Sequence, residues 1–304
     1  MSIKNYIKDI GRGRDGARSL NRAQAADLMG QVLDGAVTDL ELGAFVIAMR
    51  IKGETPVEMA GFLDALDTRL HKIPNAAGPT VVLPSYNGAR KLPVLTPLLA
   101  LLLAREGLAV VVHGCSTEAG RVSAQSVLEA LGIAAQTAIG NTVPGSVQWV
   151  PTALLCPGLQ RLLDVRQVVG LRNSAHSLVK LLNPCTHPAV VVGSYTHPEY
   201  AVSMAATLEL TQANALLLRG TEGEPVADAR RTPAMTALHQ GHARQVEDVQ
   251  AGALAALPSL PAPDAPTTAL WIQAVLAGQQ PVPEPITRQV RHIVQLCHTL
   301  RTPS

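Results

Sequence analysis

Aromatic side chains are scarce: the 304 residues include two Phe, two Trp and four Tyr, 3% of the chain. The core must then be built from Leu, Val, Ala and Ile, and a stacking platform for single-stranded bases lacks its rings. Cysteine is also sparse. Cys115, Cys156, Cys185 and Cys297 form no C-x-x-C pair, so neither a disulfide frame nor a zinc knuckle is expected, only buried thiols in a reducing compartment. Long apolar runs are missing. The strongest, residues 92–104, stops at Arg105 and Glu106, short of the roughly 20 residues that span a bilayer. The uncharged stretch 130–160 is longer but is broken by Asn141, Pro144, Gln148, Pro151 and Pro157. The opening residues have no apolar h-region, so the expectation is a cytoplasmic protein with no signal peptide and no membrane partner.

Charge is thin too, at 16% of residues, with 25 basic against 23 acidic and a net charge of +2. With 47% apolar residues the chain is globular rather than disordered, and long enough for one large domain or two lobes. Placement says more than the total. Residues 1–22 hold Lys4, Lys8, Arg12, Arg14, Arg18 and Arg22 against Asp9 and Asp15, an excess of +4, while the rest of the chain sums to −2. Residues 156–184 hold Arg161, Arg166, Arg172 and Lys180 against Asp164 alone, and the tail after Glu284 holds Arg288, Arg291 and Arg301 with no acid. Such clusters make either a local anion-binding face or a solvated helix surface.

Hydrophobic periodicity divides the chain in two. Residues 1–72 read as helices: 20–33 carries Ala25, Leu28, Met29 and Val32 at helical spacing, Thr38 with Glu41 is a capping-box signal, and Thr55-Pro56 with Glu58 opens another helix to about Leu70. Residues 74–79 are a turn-rich linker. Strands then follow at 80–83, 108–112, 189–192 and 215–218, alternating with helices at 93–106, 123–131 and 198–211. That alternation predicts a mainly parallel sheet with crossover helices. Residues 149–169 read as helical pieces, 257–266 as a Pro-rich loop, and 267–277 and 286–300 as helices. The expected organisation is an α/β protein: a small helical domain over 1–74, completed by a returning hinge helix near 156–184, and an α/β domain over 75–304.

Ligands of open α/β sheets bind at the strand ends, which here are three loops. Loop one, residues 83–91, has the single glycine Gly88 and is a poor backbone cradle for phosphate, although Arg90 and Lys91 can meet one from the side. Loop two, residues 112–118, holds His113, Cys115 and Glu118. Nothing in that spacing orients a general base, so packing is expected there rather than a Cys–His nucleophile. Loop three, residues 218–225, holds Glu222 and Glu224, either a magnesium site or an ion-pair network with Arg219, Arg230 and Arg231. His176, His187 and His197 match no zinc spacing, and the two His-Pro pairs read as turns.

The string 126–132 (SVLEALG) after His113-Gly114, then 165–172 (VRQVVGLR) and Leu181-Leu-Asn-Pro184, resembles the anthranilate phosphoribosyltransferases over nearly the whole chain. The resemblance implies their nucleoside phosphorylase/phosphoribosyltransferase class II-type fold and a homodimer joined through the helical domain. The catalytic residues do not carry over. The family's Gly-Thr-Gly-Gly-Asp diphosphate loop is replaced by residues 84–88 (PSYNG). Its Asn-x-Ser-Thr keeps only Thr96, and its paired magnesium-binding Asp-Glu falls at Pro225-Val226. The arginine of the aromatic-acid site persists as Arg172. Residues 170–176 (GLRNSAH), 219–224 (RGTEGE) and the basic opening 11–18 are closer to the divergent YbiB-like branch. That branch resembles sequence-indifferent DNA- or RNA-binding proteins rather than enzymes.

The resulting expectation is a catalytically silent scaffold with no catalytic residue, no cofactor and no metal. It binds nucleic acid through Arg12, Arg14, Arg18, Arg172, Lys180, Arg230 and Arg231, with Arg90, Lys91 and Thr96 as further phosphate contacts. Arg172 and Lys180 are placed on one helix face, with Arg172 paired to Glu222 as the structural alternative. The competing expectation is a magnesium-dependent phosphoribosyltransferase with an unusual acceptor.

Overall fold

A computed structural model describes residues 2–13, 15–74, 78–116, 118, 120–252 and 258–301. Four helices open the chain: α1 (Lys4–Ile10), α2 (Arg22–Leu33), α3 (Asp39–Lys52) and α4 (Pro56–Asp67). The last three start with complete capping boxes, Asn21 with Gln24, Thr38 with Glu41, and Thr55 with Glu58. Each box satisfies two of the amide donors that a helix start leaves open. Glu58 does more than cap. Fully buried, it also accepts from the Leu20 backbone amide at 2.9 Å and pairs with Lys52 at 2.6 Å, tying the approach to α2 onto α4.

The α/β part runs β1 (Thr80–Ser85), α5 (Thr96–Arg105), β2 (Ala109–Gly114), α6 (Ala124–Ala130) and β3 (Val147–Pro151). The chain then returns to the helical lobe through α7 (Thr152–Leu155) and α8 (Pro157–Val169), which packs on α2, and turns through α9 (Ala175–Leu178). It continues as β4 (Ala189–Tyr195), α10 (Pro198–Leu210), β5 (Asn214–Arg219), β6 (Met235–His239), β7 (His242–Glu247), α11 (Ala265–Leu276) and α12 (Glu284–Arg301). The seven strands lie in the order β3-β2-β1-β4-β5-β6-β7, with β1 to β5 parallel and β6 and β7 antiparallel.

Strand alternation sorts the core into two layers. Val82, Val111, Val191 and Leu217 face an apolar cluster continuous with α1–α4 and α8. Val81, Val110, Val190 and Leu216 face the opposite cluster, against α5, α6, α11 and α12. One step along a strand changes the face, so these valine runs bury side chains on both sides of the sheet.

Two expectations are corrected. Residues 149–151, expected at the start of the helical pieces, belong instead to the edge strand β3, because Trp149 packs inward against the α5/α6 layer and the backbone pairs with β2. The β6–β7 hairpin has no counterpart in the expected element order, since neither strand is β-branched or apolar enough to stand out. Its two-residue turn is Gln240-Gly241, both with positive φ (48° and 77°), the conformation usually signalled by Asn-Gly. Among the described residues no helix is long and apolar enough to cross a membrane.

Candidate anion site at the strand ends

Loop one is a cradle after all, and the chain supplies its own anion. The Glu224 carboxylate, 1% exposed, lies beneath the end of β1. Its Oε1 accepts from the backbone amides of Asn87 and Gly88, both at 2.9 Å. Its Oε2 accepts from the Ser85 hydroxyl and from Thr96 Oγ1, the latter at 3.0 Å. Glu222 treats the next turn the same way: its carboxylate accepts from the amides of Arg90 (3.1 Å), Lys91 (2.9 Å) and Leu92 (2.9 Å). These amides point at negative charge as they would at a phosphate.

Loop three is built to deliver the two carboxylates. Glu222 sits at φ 50°, a left-handed conformation costing roughly 1–2 kcal/mol for a residue with a Cβ, offset by its three amide hydrogen bonds. Gly223 has φ 91°, and a Cβ there would lie 2.0 Å from Asn87 Nδ2, so loop one can close over it only because it is glycine. Lys180 Nζ (3.0 Å) and Ser194 Oγ (2.8 Å) hold the Gly223 carbonyl from the other side. The remaining space between loops one and two is about 10 Å³.

Loop two carries a second self-supplied anion. Glu118 meets four guanidinium groups: Arg90 and Arg172, each at 3.2 Å, together with Arg121 and Arg166. Burial pushes the Glu118 carboxyl up, but hydrogen bonds from Arg166 and Arg121 outweigh it and hold the group at about 2. Burial and the neighbouring Arg166 push Arg172 down. Arg166 Nη1 is buried without a hydrogen-bond partner among the described residues. Four positive charges on one negative charge leave this corner strongly cationic.

The other loop-two groups are not poised for catalysis. His113 is fully buried and hydrogen-bonded through Nδ1 to the Tyr86 hydroxyl at 2.8 Å, and burial lowers it to about 3, so the ring is neutral. Burial raises Cys115 to about 11, so it stays a thiol rather than the nucleophilic thiolate.

The expected phosphate contacts fall into different classes. Arg12 and Arg18 are exposed on the helical lobe; Arg12 donates Nε–H to the Lys8 carbonyl at 3.1 Å and has a loose pair with Asp9 at 3.8 Å. Arg14 lies outside the described residues. Arg230 is exposed but held in two hydrogen bonds by Asp228, and Arg231 donates to the carbonyls of Gln250 and Gly252. Arg172 pairs with Glu118, not with Glu222 as the alternative had it. Arg172 and Lys180 do not share a helix, because α9 lies between them and contains neither. Lys180 is 8% exposed, out of reach of a nucleic-acid backbone. Thr96 is spent on Glu224, while Arg90 and Lys91 have exposed side chains. Of the basic cluster at 156–184, Arg161 is structural, donating to the Val32 carbonyl at the end of α2. Glu118, Arg121 and Ser85 are site residues that sequence reasoning did not select. Glu118 and the acids of loop three were visible as loop carboxylates, but apart from Arg121, three residues from Glu118, their partners lie 28 to 139 residues away.

The comparisons agree with this architecture. The model of the glycosyl transferase family helical bundle domain matches residues 4–69. Anthranilate phosphoribosyltransferase from Thermus thermophilus superposes with TM-score 0.74 at 21% identity, covering 99% of this chain and 90% of that one. The Saccharomyces cerevisiae enzyme in complex with PRPP and Mg gives TM-score 0.70 at 13% identity, with 98% and 88% covered. Fold and helical-bundle match together define the class: a protein with the fold of the anthranilate phosphoribosyltransferases. Within that class the chain belongs to the YbiB-like family, being 40% identical over 299 residues to YbiB of Escherichia coli (strain K12), with 95% of this chain and 92% of that protein covered. The anthranilate phosphoribosyltransferase of Mycobacterium leprae (strain Br4923) is 27% identical over 290 residues, covering 91% and 79%.

The residues of loop three do not fit a magnesium ion. Every carboxylate oxygen of Glu222 and Glu224 already faces one or two N–H or O–H donors, whose positive ends oppose a cation. No group of three metal-ligating side chains is present among the described residues.

Proposed function

We propose that this protein binds DNA or RNA without sequence preference, as a homodimer, on a phosphoribosyltransferase scaffold that has lost its transfer chemistry. The observation that carries the binding is the basic stripe at the start of the helical lobe. Lys4, Lys8 and Arg12 follow one another at four-residue spacing along and just beyond α1, so they share a face, and all three are exposed together with Arg18. Lys4, Lys8 and Arg18 have no ion-pair partner among the described residues, leaving their charge available to neutralise phosphates and release counterions. A two-fold axis would double the stripe.

The loss of transfer chemistry is supported by Glu224. A diphosphate in loop one would have to displace a buried carboxylate that accepts four hydrogen bonds. Lys180 is withdrawn from the nucleic-acid surface, and Arg230 belongs to it only if it leaves Asp228.

Fluorescence anisotropy with labelled single- and double-stranded oligonucleotides of about 30 nucleotides, at several salt concentrations, tests the reading. The expected result is affinity indifferent to sequence and falling linearly with the logarithm of salt. Absence of binding at about 50 mM salt overturns it. Light scattering of the free protein checks the dimer.

A further inference from the structure

A cavity of about 360 Å³ lies on the far side of the Gly223 turn from loop one, within the size range of small-molecule sites. Its walls come from the α3–α4 connection, the hinge around α9, and the end of β4 with the start of α10. Arg50, Arg172 and Lys180 line it, with Glu54 as the lining acid, so cations exceed anions by two. Lys180 is deeply buried, and its ammonium has the Gly223 carbonyl as hydrogen-bond partner, although it carries three donors. His176, 8% exposed, leaves Nε2 buried with no partner among the described residues. Buried polar groups of this kind are costly unless something satisfies them.

The wall nearer solvent is different. Tyr195 and Tyr200 line it, two of only four tyrosines in the chain, and the Tyr200 ring is 6.4 Å from that of His197. Tyr200 is 40% exposed, so one end of the cavity offers flat apolar surface while the other offers unspent cationic donors.

We infer that this cavity binds a nucleoside monophosphate, with the phosphate toward Lys180, His176 and Arg172 and the base against Tyr200. Arg172 shares its partner Glu118 with three other guanidinium groups, so the pairing leaves a surplus of positive charge that matches a phosphate dianion better than a singly charged carboxylate. The site is separate from the α1 stripe and from the filled cradle of loop one, and does not depend on nucleic-acid binding.

The test is a thermal-shift and calorimetric titration of the full chain with the four common nucleoside 5′-monophosphates, up to about 1 mM, with inorganic phosphate and adenosine as half-ligand controls. At least one nucleotide is expected to raise the melting temperature and release heat, with both halves weaker by about tenfold or more. Tyr200→Ala and Arg50→Ala, both at exposed positions, are expected to weaken binding while leaving the unliganded melting temperature unchanged. Lys180→Met is expected to abolish the advantage of the nucleotide over adenosine. The inference is overturned by no response to any of the four nucleotides, by inorganic phosphate or adenosine alone matching them, or by Tyr200→Ala and Arg50→Ala both binding like the unmodified protein. If Lys180→Met does not fold, the two exposed variants decide.

Discussion

Replacing Glu224 probes the filled cradle directly. The carboxylate accepts two backbone amides on one oxygen and two hydroxyls on the other, at 1% exposure. In Glu224→Gln the side-chain oxygen still accepts the amides of Asn87 and Gly88, and the Ser85 and Thr96 hydroxyls can rotate to accept from the new NH₂. What disappears is charge assistance. Hydrogen bonds to charged groups contribute about 1.5–3 kcal/mol and neutral ones about 0.5–1.5, so four bonds that do not add fully give a loss of about 2–4 kcal/mol. Glu224→Ala is worse, because the two amides cannot turn away and each unsatisfied buried donor costs about 1–3 kcal/mol. The expected loss there is about 4 kcal/mol or more. Thermal unfolding reads it, at roughly 2–4 °C per kcal/mol for domains of this size. Inorganic diphosphate should then stabilise Glu224→Ala more than the unmodified protein, because only the variant has empty donors in loop one. A Glu224→Gln protein that melts within about 0.5 kcal/mol of the unmodified one would refute the reasoning, since it would mean that the carboxylate charge does not hold loop one.

The joint variant Lys4→Ala/Lys8→Ala/Arg12→Ala/Arg18→Ala should flatten the salt dependence on double-stranded DNA by about 0.9 in log–log slope for each phosphate no longer neutralised, uniformly across sequences. An unchanged slope in anisotropy would remove α1 from the interface. Glu118 should contribute to the acid limb of stability. Its carboxyl is lowered in the fold from 4.5 to about 2, so its contribution is complete above pH about 4.5 and is lost as pH falls toward 2. Glu118→Gln should flatten that limb in urea titrations run across the window, and an unchanged pH slope would count against the arginine cluster. Gly223→Ala should destabilise by more than about 2 kcal/mol, since it combines φ 91° with a contact of 2.0 Å to Asn87, and a melting temperature equal to that of the unmodified protein would contradict the tight closure of loops one and three.

Much of the fold is written in local pattern. Thr38 with Glu41 and Thr55 with Pro56 mark helix starts because these signals need only neighbouring residues, and the structure starts both helices there, each with a capping box. The runs at 80–83 and 189–192 are parallel strands buried on both faces, and nothing but a sheet covered by helices accommodates them. The edge strand β3 and the β6–β7 hairpin escaped because an edge strand and a polar hairpin lack that continuous apolar signature, and their pairing partners decide them.

The site divides along the same line. The sequence alone shows that the diphosphate glycines are absent and that Glu118, Glu222 and Glu224 sit in strand-end loops, because residue type and loop position are local properties. What those carboxylates do was decided by the fold. Glu224 reaches Asn87 across 137 residues, and Glu118 gathers Arg90, Arg166 and Arg172 from 28 to 54 residues away, beside its sequence neighbour Arg121. Equally, Lys180 and Arg18 are both single basic residues in a basic stretch of sequence. Only packing makes one a buried prop of the Gly223 turn and leaves the other in solvent, because burial depends on which element lies above a side chain and the sequence specifies that only through the complete fold.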